Sequence, residues 1–232
     1  MFESLQFSIV DMTPYSRPIY FDMIGLYNKA VWPMHVLAMI LMFWLLLISI
    51  RPGQHRVSSA FWILGAAWLW TGWIFHMQYY SSINWAGVAF GYLFLIQGGL
   101  LLALACIPVT PVWNVSKKWP VLAGRLLLIL AIVAYPLTGL LEQRTLIQLD
   151  MFAMTPTPTL MATLAFLLLL EGRIKYALVV IPLLWAFISA SFAWTIQLLE
   201  VYAILLVMFV WLMSMVTDII KFTMSKLQSK KQ

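Results

Sequence analysis

Residues 29–56 read KAVWPMHVLAMILMFWLLLISIRPGQHR, an unbroken apolar run that ends on a basic Pro-Gly turn. About 20 consecutive apolar residues are enough to cross the hydrocarbon core as a helix. A basic turn directly after such a run is what the cytoplasmic side of a membrane collects. The same two signals recur along the chain. Apolar stretches lie near 29–50, 58–78, 85–107, 120–140, 157–171, 175–194 and 199–220, which predicts seven crossings.

The gaps between these stretches alternate in charge. One set holds Arg51, Arg56, Lys117, Lys118, Arg125, Arg173, Lys175, Lys221, Lys226, Lys230 and Lys231, and the other holds only Arg17, Lys29 and Arg144. Eleven bases against three place the first set in the cytoplasm, the N-terminus outside and the C-terminus inside.

Composition supports a membrane protein. With 63% hydrophobic and 9% charged residues the chain is far from a soluble domain, where charged residues make up roughly a quarter. Backbone groups in lipid must be satisfied within the protein, and long non-alternating apolar runs exclude a β-barrel. The expectation is an all-α, polytopic seven-helix bundle over 29–220. An amphipathic external lead-in precedes it at 1–28, and a basic cytoplasmic tail follows at 221–232. No cleavable signal peptide is visible in the first residues. Net charge of +6 suits anionic lipid headgroups and gives no reason to expect nucleic acid. The lipid bilayer is the expected partner, other membrane proteins a further one, and the bacterial inner membrane the expected location.

Local signals refine the picture. Asn28 or its neighbours can cap the first span, with Pro33 in the first turn. Gly87, Gly91 and Gly98 share a face of the third span and let a neighbouring backbone approach. Pro136 should kink the fourth. Pro156 and Pro158, inside TPTPT at 155–159, suggest a helix that begins partly within the membrane. Such backbone is tolerable only under protein or beside a water-filled cavity. The last two spans fit only with a tight turn between Thr195 and Glu200. Cys106 is the only cysteine, which excludes an intrachain disulfide and suggests a buried, inert thiol.

Five segments carry a resemblance: YNKAVWP (27–33), INWAGVAFGYLFLIQGG (83–99), YPLTGLL (135–141), TPTPT (155–159) and PLLWAFISAS…LE (182–200). Together they resemble the uncharacterised bacterial seven-helix membrane family, the domain of unknown function 6064. In that family the proline-flanked turn usually reads Thr-Pro-Cys-Pro, with a Gly-His-Tyr-Pro element before it. Here Thr157 replaces the cysteine, and Glu142-Gln143 stand near the missing Gly-His. The resemblance implies a membrane bundle and no established activity, and no thiol- or histidine-based mechanism carries over to this chain.

Polarity and topology together suggest a site. Six of the eight acids, Glu3, Asp11, Asp22, Glu142, Asp150 and Glu200, fall on the outer side; Glu171 and Asp218 fall inside. His35 lies about 9 Å below the outer start of its helix, and His76 lies near the outer end of the next. The candidate pocket comprises His35, His76, Asn84, Gln97, Asp150, Thr157 and Glu200, with Tyr79, Tyr80 and Gln197 near it and the 155–159 turn as lid or floor. Polar groups in a membrane are costly and so are functional suspects.

The histidine pair could bind a transition metal or a b-type haem. Against this, no helix carries a His-x₃-His pair, and the structural alternative is that each ring bonds a neighbour. Glu200 can take a proton or cation, or simply cap its helix. Gln97 can line a path or tie two helices. No catalytic residue and no resident cofactor can be named, since hydrolase, zincin and nucleotide motifs are all missing. Besides a membrane-embedded enzyme acting on lipid or quinone, two functions remain open. One is binding or transport of a small solute or ion through an outward-facing polar pocket. The other is a non-catalytic membrane subunit whose Trp- and Gly-rich faces dock other helices.

Overall fold

In a computed structural model, Pro33 rather than Asn28 sets where the first span begins. Proline has no N–H and its ring clashes with the carbonyl four residues back, so a helix cannot run straight through it. Helix α1 (Arg17–Ala30) therefore stops, and α2 (Met34–Ile50) restarts at 94° to it. The structure describes residues 14–51, 53–107 and 118–229. Glu3, Asp11, Pro52, Trp113, Lys117, Lys230 and Lys231 lie outside them.

The other helices are α3 (Gln54–Trp70), α4 (Gly87–Cys106), α5 (Lys118–Ile129), α6 (Tyr135–Leu141), α7 (Pro156–Leu168), α8 (Ile174–Leu178), α9 (Val180–Thr195) and α10 (Glu200–Ser229). Two π-helical segments interrupt them: Thr71–Tyr79 continues α3, and Leu130–Ala134 joins α5 to α6 just before Pro136. No strand occurs among the described residues.

Five helices are long and apolar enough to cross a membrane: His55–Ser82, Gly87–Cys106, Trp119–Leu141, Ile174–Thr195 and Glu200–Gln228. The bent pair α1 and α2 makes six if counted as one span. The stretch expected at 157–171 is different. Helix α7 has 13 residues, about 20 Å at 1.5 Å per residue, against a hydrocarbon core of about 30 Å. Every residue of α7 is buried. An all-round apolar helix of this kind belongs to the centre of a bundle, and α7 packs against α3, α5, α9 and α10.

Close approach is arranged by glycine. A Cβ on Gly72 would sit 2.9 Å from the Gly91 carbonyl oxygen, and one on Gly124 would sit 2.7 Å from that of Ala165 in α7. A methyl group at either place forces backbone apart, an overpacking cost of about 1–3 kcal/mol. The glycine face foreseen on the third span is thus occupied within this chain, against the continuous helix His55–Ser82. Cys106 departs from expectation: it is exposed at the end of α4 rather than buried.

Candidate functional site

Residues 142–155 form the least regular segment, and the site is built around it. Its backbone is satisfied by side chains from other elements. The Asn28 amide donates to the carbonyls of Ile147 (2.7 Å) and Leu149 (3.0 Å). The Tyr27 hydroxyl donates to the Met154 carbonyl at 2.7 Å while accepting from Trp70 Nε1 at 2.8 Å. Ala153, at a positive φ of 63°, gives its N–H to Thr159 Oγ1 (2.9 Å), and that hydroxyl donates to the Thr155 carbonyl. Each tie removes a polar group that lipid could not accommodate. Asn28 therefore works inside α1, fastening this segment, and does not cap a span.

Charge concentrates at the same place. Arg144 is buried and reaches Glu142 Oε2 and Asp150 Oδ2, each at 2.6 Å. Its guanidinium also stacks 4.1 Å over the Phe21 ring. Arg17, a third exposed, approaches Glu142 at 3.7 Å. Glu142 Oε1 accepts the Leu199 N–H at 2.6 Å, so Glu142 serves the start of α10. Burial pushes the Asp150 carboxyl above the ordinary carboxylate value, and Arg144 pulls against that rise. Burial works to lower Arg144, but Asp150, Glu200, Tyr20 and Glu142 outweigh it and hold the guanidinium above its usual value.

Glu200 is the first residue of α10 and is buried. Its carboxylate accepts a hydrogen bond from the Tyr135 hydroxyl and lies within electrostatic reach of Asp150 and Arg144. It also lines a cavity of about 20 Å³ shared with His76, Trp185, Thr157, Ser189, Tyr15, Tyr20 and Tyr80. That volume accommodates about one water molecule. Around it Tyr15 and Tyr80 bond hydroxyl to hydroxyl at 2.6 Å, and Thr157 meets Ser189 at 3.2 Å. Neither ring nitrogen of His76 has a hydrogen-bond partner, nor has Trp185 Nε1. His76 sits on the π-helical segment, a feature frequent at functional sites.

The predicted pocket is thus partly assembled. His76, Thr157 and Glu200 share the cavity, Asp150 joins through the charge cluster, and Asn84 donates to the Tyr80 hydroxyl at 3.1 Å. Pro156 and Thr157 line the wall, as the 155–159 turn suggested. Two residues lie elsewhere. His35 pairs through Nε2 with Asn28 Oδ1 at 3.2 Å, beside Trp32. The rings packed on His76 are Phe75, Tyr80, Phe90, Phe94 and Trp185, so the two histidines share none of these neighbours. Gln97 ties α4 to the Leu178 carbonyl at 3.0 Å. Among the described residues no group of three or more His, Cys, Asp and Glu is placed to hold a metal ion.

Sequence reading passed over Arg144, Tyr135, Tyr15, Trp185 and Ser189. Arg144 had a signal: it is a base between Glu142 and Asp150 in a chain where charge is scarce. The Tyr135–Glu200 bond spans 65 positions and had none.

Removing one partner of a buried ion pair leaves the other uncompensated, at about 3–5 kcal/mol. Arg144→Met should therefore lower the unfolding midpoint in detergent sharply. Adding Glu142→Gln and Asp150→Asn to it should restore much of the loss. A triple variant no more stable than Arg144→Met would show that the guanidinium is not what balances these acids.

No curated protein and no solved structure matches the chain. One family model does match, over residues 17–226, and its description is a family of unknown function (DUF6064). Those residues include every element of the site except Tyr15, from Arg17 to Glu200, and the chain belongs to that family.

Proposed function

We propose that this protein binds a proton or a water-sized monovalent cation at Glu200, reached from the outer face, as the loading step of ion or ion-coupled solute movement. Charge balance is the observation that carries the reading. Three buried carboxylates, Glu142, Asp150 and Glu200, meet the buried Arg144 and the partly exposed Arg17. Three negative against two positive charges leave one negative in surplus. A surplus charge is expensive where solvation is poor and is relieved by a bound cation or proton. The cavity beside Glu200 has room for one such guest and no more, which narrows the small-solute expectation to an ion in this conformation. Tyr15, Tyr80, Thr157 and Ser189 offer neutral oxygens around it, and His76 offers open ring nitrogens.

In this reading the chain makes seven crossings of the bacterial inner membrane, with α7 as a short one enclosed by the others, the N-terminus outside and the C-terminus in the cytoplasm. The bias of basic residues supports that orientation. The subunit alternative leaned partly on a glycine-rich face, and those glycines are used inside this chain. Ion binding is therefore the stronger reading.

Two measurements test it. Ligand that binds only the folded state stabilises it by about 2.7 kcal/mol at a hundredfold excess over Kd. The unfolding midpoint of the purified protein should thus respond to Na⁺, K⁺ or acid across roughly pH 5 to 8, with choline as the inert control. Glu200→Gln should remove that response; an equal response in the variant would sink the proposal. Orientation is checked with Cys106, which is exposed at the inner end of α4. A membrane-impermeant maleimide should label it in inside-out vesicles and spare it in intact spheroplasts, and the reverse pattern would invert the topology.

A further inference from the structure

A groove of about 720 Å³ lies at the far end of the bundle from Glu200, between the start of α8 and the stretch of α10 from Met215 to Phe222. Its volume falls within the roughly 300–1,000 Å³ of small-molecule sites. From this groove we infer a binding site for an anionic phospholipid, with the phosphate between Arg173 and Lys221 and an acyl chain along Met215, Ile219 and Phe222. The inference is independent of the ion site.

Depth is the first argument. Lys221 lies 21 residues beyond Glu200 on one continuous helix, about 32 Å at 1.5 Å per residue. The hydrocarbon core is about 30 Å thick. With Glu200 near one boundary, Lys221 reaches the headgroup level of the other, while Met215 and Ile219 stay within reach of acyl chains.

Charge is the second. Bases in the lining are Arg173, Lys175 and Lys221, and the acids are Glu171 and Asp218, which leaves one positive charge in excess. Lys175 is buried and faces Asp218 at 3.4 Å, and the Tyr176 hydroxyl also donates to Asp218. Arg173 and Lys221 are exposed, at the groove edge rather than in its floor. A phosphodiester fits between them as a charge-assisted acceptor.

The apolar wall decides between sources of phosphate. Ile219 is 62% exposed and Phe222 is 52% exposed, and both line the groove beside the cations. A free phosphate ion covers neither. A phospholipid covers both with the same molecule that meets the charges, and a zwitterionic one gains less from the excess positive charge.

Native mass spectrometry tests the assignment on the full-length protein, in mixed micelles of phosphatidylglycerol and phosphatidylcholine. Wild type should retain phosphatidylglycerol in preference to phosphatidylcholine. The R173Q/K221Q variant should reduce that preference by about thirtyfold, and each single variant by about fivefold, the size expected for headgroup-level charges. Because the two side chains are exposed, the singles preserve the test even if the double variant folds poorly. A charge-matched control, R51Q/K226Q, alters bases outside the groove and should keep the preference. Equal retention of both lipids by wild type would overturn the assignment, as would an equal loss in the control. Displacement of the lipid by millimolar inorganic phosphate alone would also overturn it, by making the site one for the free ion.

Discussion

A helix of 13 residues covers about 20 Å of a hydrocarbon core about 30 Å thick, and most of the architecture follows from where α7 is made to begin. Its first turn is wholly buried, so the backbone leading to it must find partners in place of water. Tyr27, Asn28 and Thr159 supply them, the first two from α1, and Trp70 of α3 holds the Tyr27 hydroxyl in place. That requirement explains why α1 lies across the bundle at 94° to α2 rather than extending it. The segment that reaches α7 is held from above by α1, and α1 can lie there because Pro33 ends the first helical run. Around α7, glycines let the neighbouring helices close in.

The same constraint gathers the charges. Carboxylates in an apolar bundle need partners, and the irregular chain at 142–155 carries the base that pairs them. Arg144 binds two of them directly, and Glu142 also serves the N-terminal end of α10, whose unpaired N–H groups favour an acid. Glu200 is held differently, by the Tyr135 hydroxyl and an adjacent cavity. One carboxylate is thereby fastened to structure while another faces a small polar space. In the proposed ion-binding role, that division keeps the charge network rigid while one acid stays exchangeable.

Much of this was legible in the residues. Arg51 marked the end of α2, the shortage of residues between Lys175 and Asp218 required the turn before Glu200, and the prolines at 156 and 158 marked the start of α7. Thr157 and Glu200 followed from polarity alone. What escaped depended on long-range geometry. No periodicity announces that Tyr135 meets Glu200, or that Tyr15 meets Tyr80, because each pair joins residues 65 positions apart. His35 and His76 were matched by depth, yet depth says nothing of rotation about the helix axis. The π-helical turn at Thr71–Tyr79 changes that rotation and sets His76 among Phe90, Phe94 and Trp185. The stretch at 157–171 reads like its longer neighbours because composition reports burial, and burial inside a bundle and burial in lipid read alike.

The central claim is that Glu200 carries an exchangeable guest while Glu142 and Asp150 do not. Infrared difference spectroscopy of the reconstituted protein, comparing wild type with Glu200→Gln as proton and cation concentrations change, tests it at the atom concerned. The account predicts a carboxyl band that responds in wild type and is missing from the variant. A band that persists unchanged in Glu200→Gln, or a wild type with no responding carboxyl, would contradict it.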